Sequence, residues 1–371
     1  MNRSLKIVAD ENMPNLQAQF ARWGEICARP GRDICAADLT GCDILLVRSV
    51  TRVDAALLSN SSVQFVGSAT IGTDHIDLEY LAAANIAFAH APGCNAASVE
   101  QYDLAAMAHL RPNWRQQRIG ILGGGNVGGR IASTLMALGV DVVVCDPFLD
   151  PTVVPWPLVG LEALLQCDIV LLHAPLTVTG AHPTRHLIGA SELALLKPNG
   201  LLINAGRGAV IDNRALLDYL NANSGCDVVL DVWEQEPLVE AALLDKVTLG
   251  TPHIAGYSLQ GRSNGTAMVA AGLAQHLGES LVDSGQEGPL EALTGVSDLN
   301  AAIVATYSVV ADDQRLRAAL LGQAGLGERR ALFDQLRRHY PHRNEFSCYQ
   351  LSTNDSALRQ AARQLSFHLN D

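Results

Sequence analysis

The sequence predicts an α/β protein built on parallel sheets, with a further α+β region towards its C-terminal end. Short apolar runs alternate with stretches of helical periodicity along most of the chain, and this alternation is typical of βα units that form a parallel sheet. A chain of 371 residues is also too long for one ordinary hydrophobic core, so we expect two or three domains.

Composition and charge exclude several classes of protein. The hydrophobic share of 48% and the charged share of 17% are ordinary for a soluble α/β protein. A net charge of −12 argues against a nucleic-acid partner, because phosphate binding needs a basic face. No apolar run is long enough to span a membrane, and the opening residues lack the apolar core of a signal peptide.

The cysteines favour a cytoplasmic location. There are eight of them and none forms a C-x-x-C pair. We therefore expect reduced thiols, with neither a disulfide framework nor a metal site.

The first ninety or so residues predict a small parallel α/β domain of the flavodoxin-like type. The predicted strands are Leu5–Ala9, Asp43–Val47, Val63–Val66 and Ile86–Ala89, and the predicted helices are Leu16–Trp23, Val53–Leu58 and Leu78–Ala84. Arg48 and Ser49 follow the second of these strands, and Thr70 follows the third. An Arg beside hydroxyl groups suits an anion, although ordinary turns and caps also favour such residues.

A helix over Ser98–Leu110 is predicted to carry the chain into a second domain, where the stretch 118–146 forms one βαβ unit. Its sequence is RIGILGGGNVGGRIASTLMALGVDVVVCD. A buried strand at Ile119–Leu122 leads through glycines into a helix at Val127–Leu138, and a second strand at Val140–Cys145 ends at Asp146. This order predicts a Rossmann dinucleotide-binding domain.

Each part of this unit has a physical role. Gly123 makes the tight turn, Gly125 lets the backbone approach a diphosphate, and Gly128 lets the helix pack closely on the strand. The first helical residues, Asn126 and Val127, offer unpaired N–H groups to the phosphates. The carboxylate of Asp146 binds the ribose hydroxyls and repels a 2′-phosphate, which predicts NAD rather than NADP.

Later strands are predicted at Asp168–His173, Gly200–Asn204, Asp227–Asp231 and Val247–Gly250. A long helical pattern over Leu259–Leu281 then returns the chain towards the first domain, and residues 286–289 read as a linker. We thus expect a discontinuous first domain (1–97 and 258–285), a nucleotide domain (98–257) and a C-terminal domain (286–371).

The C-terminal region is predicted to serve association rather than chemistry. It contains helical stretches at Asp312–Leu320 and Glu328–Tyr340 and a strand-like run at Ser347–Leu351. No catalytic motif and no clear βαβ pattern with a Gly-rich loop is visible there. A regulatory ligand-binding domain is the alternative.

Three motifs follow the later strands of the nucleotide domain. They are INAGRGA (203–209), LDVWEQEP (230–237) and GTPHIAGY (250–257). Together with the Gly-rich unit they resemble the D-isomer-specific 2-hydroxyacid dehydrogenase family. The resemblance implies that Arg207, Glu236 and His253 form the active site. It further implies that NAD contacts Ala205, Gly206, Asp231 and Gly256 as well as the Gly-rich unit.

The chemistry of these residue types fits the reaction of that family. Oxidation of a 2-hydroxy acid removes the hydroxyl proton while hydride leaves C2. A histidine titrates near neutral pH and can take that proton. A neighbouring Glu stabilises the imidazolium, and an Arg offers a planar fork of donors to a carboxylate.

The N-terminal segments VADENMP, VRSVT, FVGSATIGTDHID and APGCNA, with the extra C-terminal domain, resemble one subfamily that acts on a phosphorylated 2-hydroxy acid. This implies a homodimer held by the C-terminal domain and substrate contacts from Ser49, Thr70 and Tyr257. Arg48 is our candidate near the phosphate. Ala174 departs from the subfamily, which more often has Thr there, and offers no hydroxyl group to the cofactor.

Two alternatives stay open at this point. One is another 2-hydroxyacid dehydrogenase, such as 3-phosphoglycerate dehydrogenase, because the three motifs are shared. The other, of a different class, is an NADH-sensing transcriptional corepressor.

Overall fold

The computed structural model describes residues 4–222, 225–280, 289–322 and 325–370. The chain divides into two compact units, of which the first comprises Met1–Asn95 with Leu259–Glu287 and the second Ala96–Ser258 with Gly288–Asp371. Both units contain parallel sheets, which confirms the predicted fold class. The further division of the second unit into two domains stays a prediction, and most of the predicted linker at 286–289 lies outside the described residues.

The first unit holds a five-stranded parallel sheet in the order β2-β1-β3-β4-β5, the flavodoxin-like order. Its strands are β1 (Leu5–Asp10), β2 (Gly24–Arg29), β3 (Ile44–Val47), β4 (Phe65–Ser68) and β5 (Ala87–His90). Its helices are α1 (Leu16–Phe20), α2 (Ala55–Leu58), α3 (Leu78–Ala83) and α10 (Leu259–His276).

Local sequence explains most of these elements. Strands β3 and β4 and the last four residues of β1 are buried, as expected of parallel strands covered on both faces. The side chains of Asp54 and Asp77 accept backbone N–H groups and so begin α2 and α3. Helix α10 packs Val269 and Leu273 into a core with Phe65 of β4.

Strand β2 was not predicted. Its sequence GEICAR is half-exposed along its length, because it lies at the edge of the sheet with only β1 beside it. An edge strand needs no continuous apolar run, so it gives no hydrophobic signal in the sequence.

The second unit holds a six-stranded parallel sheet in the order β11-β10-β9-β8-β6-β7. Its strands are β6 (Ile119–Leu122), β7 (Val142–Cys145), β8 (Ile169–Leu172), β9 (Leu201–Asn204), β10 (Asp227–Leu230) and β11 (Leu249–Gly250). Its helices are α4 (Ala96–Leu110), α5 (Asn126–Ala137), α6 (Leu161–Leu165), α7 (Ala190–Leu193), α8 (Asn213–Ala222) and α9 (Ala241–Lys246).

Strand β6 lies between β7 and β8, so the direction of winding reverses at β6. Open α/β sheets bind ligands outside the carboxyl ends of their strands at such a reversal. A ligand site is therefore expected at the loops that follow β6, β7, β9, β10 and β11.

The C-terminal part of the second unit combines helices with a small parallel sheet, β12-β13-β14. Its strands are β12 (Glu291–Leu293), β13 (Tyr349–Leu351) and β14 (His368–Leu369), and its helices are α11 (Leu299–Thr306), α12 (Val309–Leu320), α13 (Leu326–Arg338) and α14 (Ser356–Gln364). Strands β13 and β14 are parallel neighbours joined through α14. The predicted run Ser347–Leu351 contains β13, but β14 is too short to leave a readable apolar pattern, so this βαβ unit was not predicted.

The C-terminal part shares its core with the six-stranded sheet. Ile303 and Phe346 lie in one hydrophobic cluster with Tyr102 of α4, and Leu316 and Phe333 lie in another with residues of α8, α9 and β10. Burial of these apolar side chains in shared clusters stabilises both parts together. Within the described part of the chain, no helix has the length and apolar character needed to cross a membrane.

Candidate active site

The glycine loop, residues 123–128, connects β6 to α5. Gly123 has φ +90°, and a Cβ there would lie 2.8 Å from the backbone of Ala174. A Cβ on Gly128 would lie 1.9 Å from the carbonyl oxygen of Gly123. Gly125, by contrast, has no atom within 4 Å of such a Cβ. Two glycines therefore allow the loop to close, and the third leaves open space for a ligand.

Asp146 follows β7 and faces this loop. One of its carboxylate oxygens accepts the N–H of Gly124 at 2.9 Å, and the other accepts the N–H of Phe148 at 3.1 Å. Asn126 and Val127 begin α5, which has no side-chain cap. Open space, uncapped helix N–H groups and a carboxylate at the end of β7 together fit the diphosphate and ribose of NAD.

Arg207 follows β9 in a turn that Asn204 closes. The amide of Asn204 donates to the carbonyl of Arg207 and accepts the N–H of Gly206, both at 3.1 Å. A Cβ on Gly208 would lie 2.1 Å from the backbone of Trp233. Glycine at this position thus lets the turn after β9 pack on the turn after β10. Ala205 and Gly206 are half-buried in the same turn.

Glu236 and His253 form a hydrogen-bonded pair. Nδ1 of His253 lies 2.7 Å from Oε2 of Glu236, while Oε1 accepts the N–H of Trp233 at 2.8 Å. Burial tends to raise the pKa of Glu236, but the charge and hydrogen bond of His253, the charge of Arg337 and the Trp233 N–H lower it below its ordinary value. A carboxylate accepts, so Nδ1 donates and Nε2 is left for a substrate.

The loop that carries His253, residues 251–258, is here named the histidine loop. His253 has φ +57°, a conformation that L residues adopt only when their surroundings hold it. Its N–H donates to the carbonyl of Asp231 at 2.7 Å.

The side chain of Asp231 holds the rest of that loop. It is 1% exposed and accepts from the hydroxyl of Thr251 at 2.6 Å and from the N–H groups of Ile254 and Ala255 at 2.8 and 2.9 Å. Burial raises its pKa, even though His253 and these donors oppose the shift. The carboxylate of Asp231 is thus satisfied within the protein, and the predicted contact with NAD stays a prediction.

The end of the histidine loop is held by the C-terminal part of the chain. The carbonyl of Ala255 accepts from Ser98 at 2.7 Å and from the guanidinium of Arg343. The hydroxyl of Ser258 donates to Glu345 at 2.5 Å. Gly256 is half-buried between these contacts.

Tyr257, the predicted substrate contact in this unit, is packed by two residues of the C-terminal part. The guanidinium of Arg337 lies 5.4 Å from the centre of its ring, and the ring of Tyr340 meets it edge-on at 6.0 Å. Sequence reasoning missed Arg337, Arg343 and Glu345, because no motif surrounds them.

The predicted substrate residues of the first unit follow β3 and β4. The guanidinium of Arg48 donates twice to Asp10, at 3.0 and 3.2 Å, and Asp10 is fully buried. Ser49 is exposed. The half-buried Thr70 donates to the carbonyl of Gly72 at 2.8 Å. Asp10 lies in the VADENMP segment, but its role as the partner of Arg48 was not predicted.

Comparison with known proteins places this geometry in a family. Residues 86–255 match the model of the D-isomer specific 2-hydroxyacid dehydrogenase NAD binding domain, and residues 288–366 match a domain of unknown function, DUF3410. Two solved structures share the fold. They are an NAD+-bound 3-phosphoglycerate dehydrogenase of Entamoeba histolytica, 20% identical with TM-score 0.63, and a D-lactate dehydrogenase of Aquifex aeolicus with NAD and lactic acid, 22% identical with TM-score 0.61. Each covers 74% of this chain and 96% of its own.

Curated relatives match along nearly the whole chain. An erythronate-4-phosphate dehydrogenase of Cellvibrio japonicus is 48% identical over 97% of this chain and 97% of its own. An erythronate-4-phosphate dehydrogenase of Teredinibacter turnerae is 47% identical over 94% and 95%. This chain therefore belongs to the erythronate-4-phosphate dehydrogenases, within the NAD-dependent D-isomer-specific 2-hydroxyacid dehydrogenases.

Proposed function

We propose that this chain oxidises 4-phospho-D-erythronate to (R)-3-hydroxy-2-oxo-4-phosphooxybutanoate with NAD, as a step in the biosynthesis of pyridoxal 5′-phosphate (vitamin B6). The observation that carries the proposal is the Glu236–His253 pair at 2.7 Å, in a chain 48% identical to a named erythronate-4-phosphate dehydrogenase over nearly its full length. Both curated relatives described above carry that name, so the 3-phosphoglycerate alternative has less support.

The cofactor is held by the glycine loop and by residues after the later strands. We assign the diphosphate to Gly123, Gly125, Asn126, Val127 and Gly128. We assign the ribose hydroxyls of NAD to Asp146. The other proposed contacts with NAD come from Ala205, Gly206, Asp231 and Gly256. When bound, NAD accepts the hydride that leaves C2 of the substrate.

His253 is the general base for the hydroxyl proton. Because Nδ1 donates to Glu236, Nε2 carries the lone pair that takes the proton. The resulting imidazolium is stabilised by the carboxylate of Glu236, whose lowered pKa keeps it charged. Arg207 offers its guanidinium to the substrate carboxylate and to the developing carbonyl oxygen.

Four further residues are proposed to contact the substrate. The residue of the second unit is Tyr257, which lies four positions beyond His253. In the first unit the candidates are Ser49, Thr70 and Arg48. Because the guanidinium of Arg48 already donates twice to Asp10, its charge is partly neutralised before any substrate binds.

We also propose a homodimer held by residues 286–371, with two-fold symmetry as the usual arrangement. All eight cysteines are free thiols, which supports a cytoplasmic location. Sedimentation of the full chain at several concentrations tests the dimer, and a monomer at all of them contradicts it.

The reaction is tested with a panel of phosphorylated and unphosphorylated 2-hydroxy acids, each mixed with NAD and followed at the NADH absorbance. We expect the highest kcat/KM with 4-phospho-D-erythronate. A clear preference for 3-phosphoglycerate would overturn the assignment. Tight NADH binding without turnover of any acid would favour a corepressor-like sensor instead.

A further inference from the structure

The C-terminal part of the chain reaches the histidine loop of its own subunit. Arg343 donates to the carbonyl of Ala255 and to the hydroxyl of Ser98, and Glu345 accepts from Ser258. These contacts bracket Tyr257 on both sides. The position of Tyr257 therefore depends on residues of the region 288–366, which lies outside the matched NAD-binding domain.

Arg343 is itself firmly held. It is 5% exposed, and its guanidinium lies 4.4 Å from the centre of the Tyr307 ring. The hydroxyls of Tyr307 and Tyr340 both donate to the buried Asp312, at 2.8 and 2.7 Å. A stacked cation on an anchored aromatic pair is a rigid support, so the histidine loop rests on a fixed surface.

Helix α13 brings a second guanidinium to the same place. Arg337 lies over the ring of Tyr257 at 5.4 Å, and its charge acts on Glu236, Asp231 and Asp334. Its Nε is buried and donates no hydrogen bond to any residue that the structure describes. Arg337 is thus a cation beside the proposed substrate tyrosine with donor capacity still unused.

Two of the neighbouring carboxylates accept hydrogen bonds from other groups. Glu236 accepts from His253 and from the N–H of Trp233, and Asp231 accepts three hydrogen bonds from the histidine loop. Asp334 lies one turn earlier on α13. Neither Glu236 nor Asp231 therefore accepts from the buried Nε of Arg337.

We propose that Arg337 binds the phosphate of the substrate and so sets the specificity of the enzyme for a phosphorylated 2-hydroxy acid. This inference rests on the proposed function. A substrate with a carboxylate and a phosphate needs cations at both ends, and the chain has a net charge of −12, so only local cations can supply them. Arg207 serves the carboxylate. Arg337 offers the phosphate a planar fork of donors, whereas Arg48 is already paired with the buried Asp10.

The test compares Arg337→Gln with Arg338→Gln, a control at the exposed neighbouring arginine of the same helix. Both full-length variants and the wild type are assayed with 4-phospho-D-erythronate and with D-erythronate. For Arg337→Gln we expect kcat/KM to fall about 10- to 100-fold with the phosphorylated acid, mainly through KM, because charge-assisted hydrogen bonds are lost. Activity with D-erythronate should fall much less than activity with the phosphorylated acid, and Arg337→Lys should recover part of the loss.

A merely structural role gives a different result. If Arg337→Gln lowers kcat/KM equally for both acids, or for neither, the proposal is overturned. Thermal unfolding of each variant shows whether the fold is intact. If Arg337→Gln does not fold, the same comparison of the two acids is made with Arg337→Lys.

Failure of the proposed function is recognised separately. If the wild type does not oxidise 4-phospho-D-erythronate, the assigned reaction is wrong, and the role of Arg337 is decided with inorganic phosphate as the probe. Calorimetry should then show weaker phosphate binding to Arg337→Gln than to wild type and Arg338→Gln. Equal affinity in all three proteins overturns the proposal.

Discussion

The glycine loop and the histidine loop both follow strands of one parallel sheet, yet they are held in different ways. The glycine loop is closed by its own residues: Gly128 packs on Gly123, and Asp146 accepts the N–H of Gly124 from the end of the next strand. The histidine loop is held by Asp231, Ser98, Arg343 and Glu345, which come from three separate parts of the chain. One loop is built by local sequence and the other by tertiary structure.

The difference has a functional reason. A diphosphate is bound largely by backbone N–H groups, and glycines provide these without help from other elements. Proton transfer needs one imidazole held at one angle, and His253 sits at φ +57°. Such a conformation persists only where several independent contacts enforce it.

The largest effect on turnover is expected from replacement of His253, the proposed general base of the histidine loop. In His253→Ala, kcat should fall about 10²–10⁴-fold, the usual contribution of a general acid–base group. NAD affinity should be unchanged, because the proposed cofactor residues are intact. NADH formation and a fluorescence titration with NAD measure the two quantities, with exposed His109→Ala as the control. Near-normal turnover would sink the proposed mechanism.

Next comes the closure of the glycine loop. A methyl group on Gly128 would meet the Gly123 carbonyl at 1.9 Å, so Gly128→Ala should lower the free energy of unfolding by about 3 kcal/mol. Gly125→Ala has open space around the added carbon and should unfold as the wild type does while binding NAD more weakly. Calorimetric unfolding measures the stability of each variant, and a titration with NAD measures its affinity for the cofactor. Equal melting of both variants would show that the loop is not self-supporting.

Thr251→Val tests the tertiary support of the histidine loop. It removes the hydroxyl between Asp231 and Tyr102, which are 2.6 and 2.8 Å away. Two buried polar groups then lose a partner, which should cost about 1–3 kcal/mol of unfolding free energy. Denaturant unfolding measures this against Thr179→Val at an exposed position. No difference between the two variants would mean that Asp231 holds the loop without Thr251.

Cofactor choice should respond to Asp146 by a smaller factor. Asp146→Ala should reduce kcat/KM with NAD about tenfold, because charge-assisted hydrogen bonds to the ribose are lost, and should improve use of NADP by removing a repulsion. The exposed Asp150→Ala is the matched control. A wild type that prefers NADP would contradict the placement of Asp146 at the ribose.

The smallest effect is a change in pH dependence. The pKa of Glu236 is lowered from its ordinary 4.5. The Glu236 carboxylate is therefore charged and stabilises the Glu236–His253 pair above pH 4.5, and this stabilisation is lost as the pH falls through the lowered pKa. In Glu236→Gln the protonated His253 has no carboxylate partner, so the acidic limb of the kcat/KM profile should move to lower pH. A limb that stays in place, or moves upward, would show that the pair does not govern this limb.

The contrast between the loops also explains what the sequence could predict. The Rossmann unit, the parallel α/β character of the first unit and the family motifs all rest on periodicity or on residues close together in the chain. Edge strand β2 and the short strands β12 and β14 were missed, because brief or half-exposed strands have no apolar pattern, whereas β13 lies within the predicted run Ser347–Leu351.

The supports of the site were missed for a different reason. Asp10 and Arg48 are 38 positions apart, Ser258 and Glu345 are 87, and Ala255 and Arg343 are 88. No pattern in a single sequence indicates contacts over such distances. The residues proposed to carry the chemistry could therefore be named from sequence motifs, whereas those that hold them in position could not.

The distance between Ser258 and Glu345 also bears on synthesis of the protein. When the histidine loop leaves the ribosome, its partners Arg343 and Glu345, which lie between α13 and β13, have not yet been translated. The contacts of the loop can be completed only after the chain has emerged beyond Glu345. We therefore expect chains that stop before Arg343 to be inactive, so that the contacts of Arg343 and Glu345 make activity depend on synthesis of the region 288–366.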